Sequence, residues 1–157
     1  MSKDEATFTS AMHRQLGVDL FNSTWTLIDK ADRSPDETEV MIHAAHASAY
    51  HWRQVGTPLN FSRSDWQISR VYALLNRPEA AMHHAQHCLE ICDAEAIRDF
   101  DLAFAYEALA RAYSVDGKQD EAKRYIEKAR AAGEQIKEKD DRKYFFDELA
   151  TLPGVND

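Results

Sequence analysis

Residues 82–92, with the sequence MHHAQHCLEIC, bring together three histidines and two cysteines. Imidazole nitrogens and thiolates are the ligands that zinc prefers in proteins. On a helix that turns by about 100° per residue, these five side chains spread over more than half of the circumference, so one ion cannot collect them all. Two pairs four residues apart, His83 with His87 and His84 with Cys88, could each supply two ligands.

A third ligand would have to come from the segment MIHAAHASAYHW, in which His43 and His46 share one helix face. One interpretation is therefore a small helical metal-binding protein that uses these two segments, with the candidate ligands His43, His46, His83, His84, His87 and Cys88. No HExxH or Cys-x-x-Cys motif accompanies them. We favour the alternative that Cys88 and Cys92 are small hydrophobic residues of the core, that His83 and His87 are solvated, and that no metal or other cofactor is bound.

The segment 51–77 is the locally basic part of an otherwise acidic chain, since four arginines face a single acid, Asp65. It also contains Trp52, Phe61 and Trp66. Arginine beside an aromatic ring suits a carboxylate or phosphate group, because bidentate hydrogen bonds combine with stacking. A sensor of a small anionic ligand at Arg53, Arg63, Trp66 and Arg70 is thus a second alternative.

Catalytic motifs are not found along the sequence. There is no glycine-rich phosphate loop, no G-x-S-x-G and no nucleophile at a recognisable spacing from a base. Asp99 and Asp101 stand at a predicted helix start, where they complement the helix dipole. We therefore predict a protein that is not an enzyme and has no catalytic residues.

The elements that carry these residues are predicted to be helices. The chain has only 5 glycines and 4 prolines, which cluster at breaks, and it is rich in Ala, Glu, Arg, Lys and Leu. Ser34, Ser62 and Asn76 are candidate caps. The pattern predicts helices near 7–31, 36–54, 62–75, 78–94, 98–115, 118–137 and 140–151. Short breaks favour antiparallel neighbours, so we expect an all-α fold of about three stacked helical hairpins and a C-terminal capping helix.

Length and charge narrow the class of protein further. A chain of 157 residues is predicted to form one domain, 1–157, and its net charge of -8 argues against nucleic acid or an anionic membrane as partner. No apolar run approaches the roughly 20 residues that span a bilayer. Two cysteines on one helix, without a disulfide pattern, favour the cytoplasm.

Two segments share a pattern of large, small and aromatic residues, followed by small residues in the next helix. The first contains Ile68, Ser69 and Tyr72 and then Ala81, Ala85 and Cys88; the second contains Leu109, Ala110 and Tyr113 and then Ala122, Ile126 and Ala129. This pattern resembles tetratricopeptide repeats, best over 62–94 and 98–137, with a degenerate first hairpin over 7–54. HAAHASAYHW with GTPLNFSRSDWQISRVYALL is also similar to bacterial tetratricopeptide-like proteins.

The resemblance implies that the first helix of each hairpin lines a concave groove. With Arg53 from the preceding helix, the candidate binding residues are then Arg53, Arg63, Trp66, Arg70, Phe104, Glu107 and Arg111. The leading hypothesis is a non-enzymatic module that binds a protein or peptide, for which an acidic segment is one candidate. The terminal helix near 140–151 would close the stack, or form the contact of a homodimer.

Overall fold

The computed structural model describes residues 7–156 and folds them into α-helices without any strand. In chain order the helices are α1 (Ser10–Ile28), α2 (Pro35–Val55), α3 (Pro58–Leu74), α4 (Pro78–Ala94), α5 (Phe100–Val115), α6 (Gln119–Glu134) and α7 (Lys139–Leu149). The all-α class and the series of packed neighbouring helices are confirmed. The first six residues and Asp157 of the predicted domain 1–157 lie outside the described range.

The start of α2 follows the sequence signal, whereas the start of α3 does not. The Ser34 hydroxyl accepts a hydrogen bond from the Glu37 amide at 3.1 Å, and the Glu37 carboxylate accepts one from the Ser34 amide at 2.9 Å. Helix α3 begins at Pro58 rather than near residue 62, because proline suits a first helical position. Ser62 is therefore not a cap; it lies buried within α3.

Asn76, a candidate helix start in the sequence, instead ends α3. Its φ of 55° is left-handed, and the Arg77 amide donates a hydrogen bond back to the Tyr72 carbonyl at 2.9 Å. The Asn76 amide donates to the Ala73 carbonyl at 3.1 Å, which completes a Schellman turn. The turn after α5 is built in the same way around Gly117, with a φ of 74°.

The core is built on the small residues that the repeat pattern picked out. Ala81, Ala85 and Cys88 of α4 are buried, and so are the corresponding residues of α6. The Ser69 hydroxyl of α3 donates a hydrogen bond to the Ala81 carbonyl of α4 at 2.8 Å. Such a bond requires the two backbones to approach closely, which only small side chains permit.

The order of packing gives the molecule two sides. Consecutive helices contact one another, and the odd-numbered helices also contact each other, α1 with α3, α3 with α5 and α5 with α7. At the far end, α7 buries Phe145 and Leu149 in the main core. A Cβ on Gly133 of α6 would overlap the Phe145 ring, so this glycine makes room for α7. The four odd-numbered helices thus form a continuous wall. A groove that runs along this wall can be lined by side chains of all four helices.

Candidate functional site

A groove with a cavity of about 710 Å³ lies along the wall of odd-numbered helices. This volume falls within the range of sites that bind ligands. Every helix that contributes to its lining, namely α1, α3, α5 and α7, belongs to that wall. The lining side chains that carry charge or an aromatic ring are Trp25, Asp29, Arg70, Arg111, Tyr144 and Glu148.

Charged side chains beside the groove form one connected network. Arg70 donates hydrogen bonds to the Glu148 carboxylate at 2.9 and 3.0 Å and lies 3.5 Å from Oε1 of Glu107. The same Glu107 oxygen accepts a hydrogen bond from Nε of Arg111 at 2.7 Å. Arg111 also donates to the Thr151 hydroxyl at 2.8 Å. Both arginines are therefore already engaged by acceptors of the protein itself.

Burial makes this network electrostatically strong. Glu107 has 0% exposure, and the Arg70 side chain is only 12% exposed. Burial acts to lower the pKa of Arg70, but the negative charges of Glu107 and Glu148 outweigh it and raise that pKa above its ordinary value. Among the described residues, Oε2 of Glu107 and Nε of Arg70 have no hydrogen-bond partner, which is rare for buried polar atoms.

The other residues predicted for the groove lie elsewhere. Trp66 and Phe104 are buried, with ring centroids 4.9 Å apart, and they form core beneath the groove rather than its surface. Arg63 makes a bidentate pair with Asp101, at 2.7 and 3.0 Å. Of the predicted groove residues, the structure therefore brings together Arg70, Glu107 and Arg111. Trp66, Phe104 and Arg63 have structural roles instead.

Arg53 belongs to a different surface. Its guanidinium lies 4.3 Å from the centroid of the Phe61 ring, beside a second cavity that His87 also lines. Arg53 therefore shares no lining with Arg70 and Arg111.

Trp25, Asp29 and Tyr144 are groove residues that the sequence prediction missed. Trp25 and Asp29 come from the end of α1, and Tyr144 comes from α7. Burial and the negative charge of Glu148 raise the pKa of Tyr144, which Arg70 partly opposes. For Trp25 and Asp29 the sequence offers only the rule that first helices of hairpins line a groove, and α1 lies in the degenerate hairpin, where the register of the repeat is lost. The rule does not apply to Tyr144, which lies on the capping helix α7.

The histidines of 82–92 meet a carboxylate on the neighbouring helix. Nδ1 of His84 lies 2.8 Å from Oδ1 of Asp65, and Nδ1 of His87 lies 2.7 Å from Oδ2 of the same residue. Nε2 of His46 lies 2.7 Å from the Tyr72 hydroxyl, and its ring centroid is 5.7 Å from that of His84. These histidines therefore tie α2, α3 and α4 together through polar contacts.

The four candidate metal ligands His43, His46, His84 and Cys88 do not converge. The His43 side chain is 81% exposed on α2, whereas Cys88 is buried in the core. A hydrogen bond with Cys92, together with burial, raises the pKa of Cys88 well above its ordinary value, which disfavours a thiolate ligand. Within residues 7–156, no three His, Cys, Asp or Glu side chains are arranged to hold a metal ion.

The fold and the groove together define the class of this molecule, a stack of helical hairpins with an open, charged trough along one side. Comparison with known proteins finds no match for this chain among family models, curated proteins or solved structures. Of the helices described, none combines the length and the apolar character that crossing a bilayer would require.

Proposed function

We propose that this protein is a non-enzymatic, tetratricopeptide-like module that binds a segment of a partner protein in the groove between its odd-numbered helices. The observation that carries the proposal is the exposure of two large apolar side chains on the groove lining. Leu74 of α3 is 43% exposed and Tyr144 of α7 is 44% exposed, and both line the cavity of about 710 Å³. Apolar and aromatic surface of this kind is typical of anchoring positions in protein interfaces.

The chemistry of the groove supports binding rather than catalysis. Its arginines are paired with carboxylates, and Arg70 is held by two of them. The free cysteines Cys88 and Cys92 are buried, and neither lines the groove. Two cysteines on one helix without a disulfide pattern fit a reducing compartment, so the proposal includes a cytoplasmic location.

Selection from a displayed library of random peptides on the immobilised protein tests this function. We expect enrichment of a peptide family whose binding is weakened by Leu74→Asn, because this change removes an apolar anchor from the groove. Val40→Asn is the matched control, since Val40 is 57% exposed on α2 and lies outside the groove lining. The proposal is wrong if no peptide family is enriched, or if the two variants bind the selected peptides equally well.

A further inference from the structure

The lining of the groove contains two cations, Arg70 and Arg111, and two anions, Asp29 and Glu148. The buried carboxylate of Glu107 beneath them adds a third negative charge. Because Glu107 pairs with both arginines and Glu148 pairs with Arg70, the positive charge is already neutralised within the protein. Once these pairs are formed, the charge that remains is negative and belongs to a carboxylate.

The carboxylates of Asp29 and Glu148 have oxygen atoms that do not bond to the arginines of the groove. The Asp29 side chain is exposed at the end of α1 and makes no ion pair or hydrogen bond with another described residue. Both hydrogen bonds that Glu148 accepts from Arg70 use Oε2 of its carboxylate. Its other oxygen, Oε1, therefore takes no part in that pair, and both carboxylates line the same cavity.

Two aromatic rings stand beside these acceptors. Trp25 and Tyr144 line the cavity together with Asp29 and Glu148. The Trp25 ring already attracts the Arg70 guanidinium, whose carbon lies 6.0 Å from the ring centroid. An ammonium or guanidinium group of a ligand gains from the face of such rings in the same way.

We infer that the partner segment presents a lysine or arginine side chain to the end of the groove formed by Asp29, Glu148, Trp25 and Tyr144. This inference rests on the proposed function and names the chemistry of its partner. A basic segment is also attracted at long range, because the chain carries a net charge of -8.

An acidic segment meets obstacles at the same place. To reach Arg70 it must displace Glu148, whose carboxylate lies 2.9 Å from the guanidinium. It must also approach the unpaired carboxylate of Asp29, a like charge. Arg63, Arg70 and Arg111, which suggest an anionic partner in the sequence, are thus already paired with carboxylates of the folded protein.

Three pools of labelled peptides with the same apolar residues test the inference, one carrying Lys and Arg, one carrying Asp and Glu, and one carrying Ser and Gln. We expect the basic pool to bind about tenfold more tightly than the neutral pool, the effect of one hydrogen bond to a charged group. Asp29→Asn should weaken the basic pool severalfold. Asp93→Asn, the same change of charge at an exposed position of α4 outside the groove, should not.

The outcomes separate the two proposals. Tightest binding of the acidic or the neutral pool, or equal effects of Asp29→Asn and Asp93→Asn, would overturn the basic partner. Binding that still depends on Leu74 would then leave the proposed function standing. If none of the three pools binds, the proposed function falls, and the basic partner falls with it.

Discussion

The hairpins α3–α4 and α5–α6 share a backbone plan but differ in what surrounds it. Ala81 of the first hairpin and Ala122 of the second are both buried at corresponding positions of the second helix. Each first helix ends in a Schellman turn whose acceptor is the carbonyl of a tyrosine, Tyr72 or Tyr113. Small residues at the contact and a left-handed residue at the turn are thus what the two hairpins have in common.

The side chains of the two tyrosines have different neighbours. The Tyr72 hydroxyl lies 2.7 Å from Nε2 of His46, and its ring stacks on His84 at a centroid distance of 6.0 Å. Tyr113 instead stacks on Tyr125 at 5.4 Å. This difference shows that the close contact between the two helices of a hairpin determines its backbone. The neighbours of the tyrosine side chain depend instead on the helix that packs next to the hairpin.

The ends of the two hairpins differ as well. Cys92, buried near the end of α4, corresponds to Gly133 of α6. At Gly133 the missing side chain leaves space that Phe145 of α7 fills. The last hairpin can therefore accept a capping helix where the earlier one carries a side chain.

The largest predicted effect comes from introducing a side chain at Gly133, which removes this last difference between the hairpins. Gly133→Leu should destabilise the protein by about 3 kcal/mol, the upper end for overpacking, because the fully buried Phe145 ring has to move. Urea unfolding followed by circular dichroism measures the loss. Ala131→Leu, at an exposed position of the same helix, should stay within about 0.5 kcal/mol of the unmodified protein. Equal unfolding midpoints for the two variants would contradict the role given to Gly133.

A smaller effect should separate the two tyrosines. Tyr72→Phe removes the partner of His46 and should cost about 1 kcal/mol, the typical net value of a hydrogen bond. Tyr113→Phe should cost close to nothing, because the Tyr113 hydroxyl has no hydrogen-bond partner among the described residues. The free energy of unfolding of both variants, measured in urea, checks the difference, and a larger loss for Tyr113→Phe would reverse our interpretation.

A pH dependence should arise beside the hairpin α3–α4, where His46 of α2 contacts Tyr72, rather than at the hairpin α5–α6. Burial, and then the charge of His84, lower the pKa of His46 below its ordinary value of 6.5, although Asp65 opposes this. Below 6.5 the unfolded chain therefore binds more protons than the folded protein at His46. The stability that the neutral imidazole provides is complete above 6.5 and is lost as the pH falls through the folded pKa.

Thermal unfolding between about pH 7.5 and about pH 5.5, a range that spans histidine titration, measures this effect. The midpoint should fall on acidification, and His46→Gln should make the fall smaller. His51, whose pKa is lowered by burial and by His13, contributes with the same sign and stays unchanged in that variant. A slope that His46→Gln leaves intact would assign the acid sensitivity to His51 instead.

The sequence predicts the helices well because they depend on local signals. The capping box at Ser34 is a local arrangement, and the buried small residues recur at fixed spacing. The errors at Ser62 and Asn76 have local causes too: a proline can open a helix earlier, and asparagine serves a left-handed helix end as well as a helix start.

The groove is less predictable, since its lining depends on how distant helices meet. Arg70 and Arg111 follow from the repeat register. Trp25 and Tyr144 come from α1 and α7, outside the two best repeats, and only tertiary packing brings them to the same cavity. The pairing of Arg70 with Glu148 likewise joins residues far apart in the chain, so no spacing rule reveals that this arginine is already neutralised.

The smallest predicted effect comes from exchanging the two turn residues. Asn76 and Gly117 have left-handed φ angles of 55° and 74°, which glycine adopts more easily than asparagine. Asn76→Gly should therefore stabilise the protein, and Gly117→Asn should destabilise it, each by less than about 0.5 kcal/mol. A Cβ at Gly117 would meet no atom within 4 Å, so the loss there is conformational. Precise urea titrations that gave the same sign for both exchanges would show that the two turns are not equivalent.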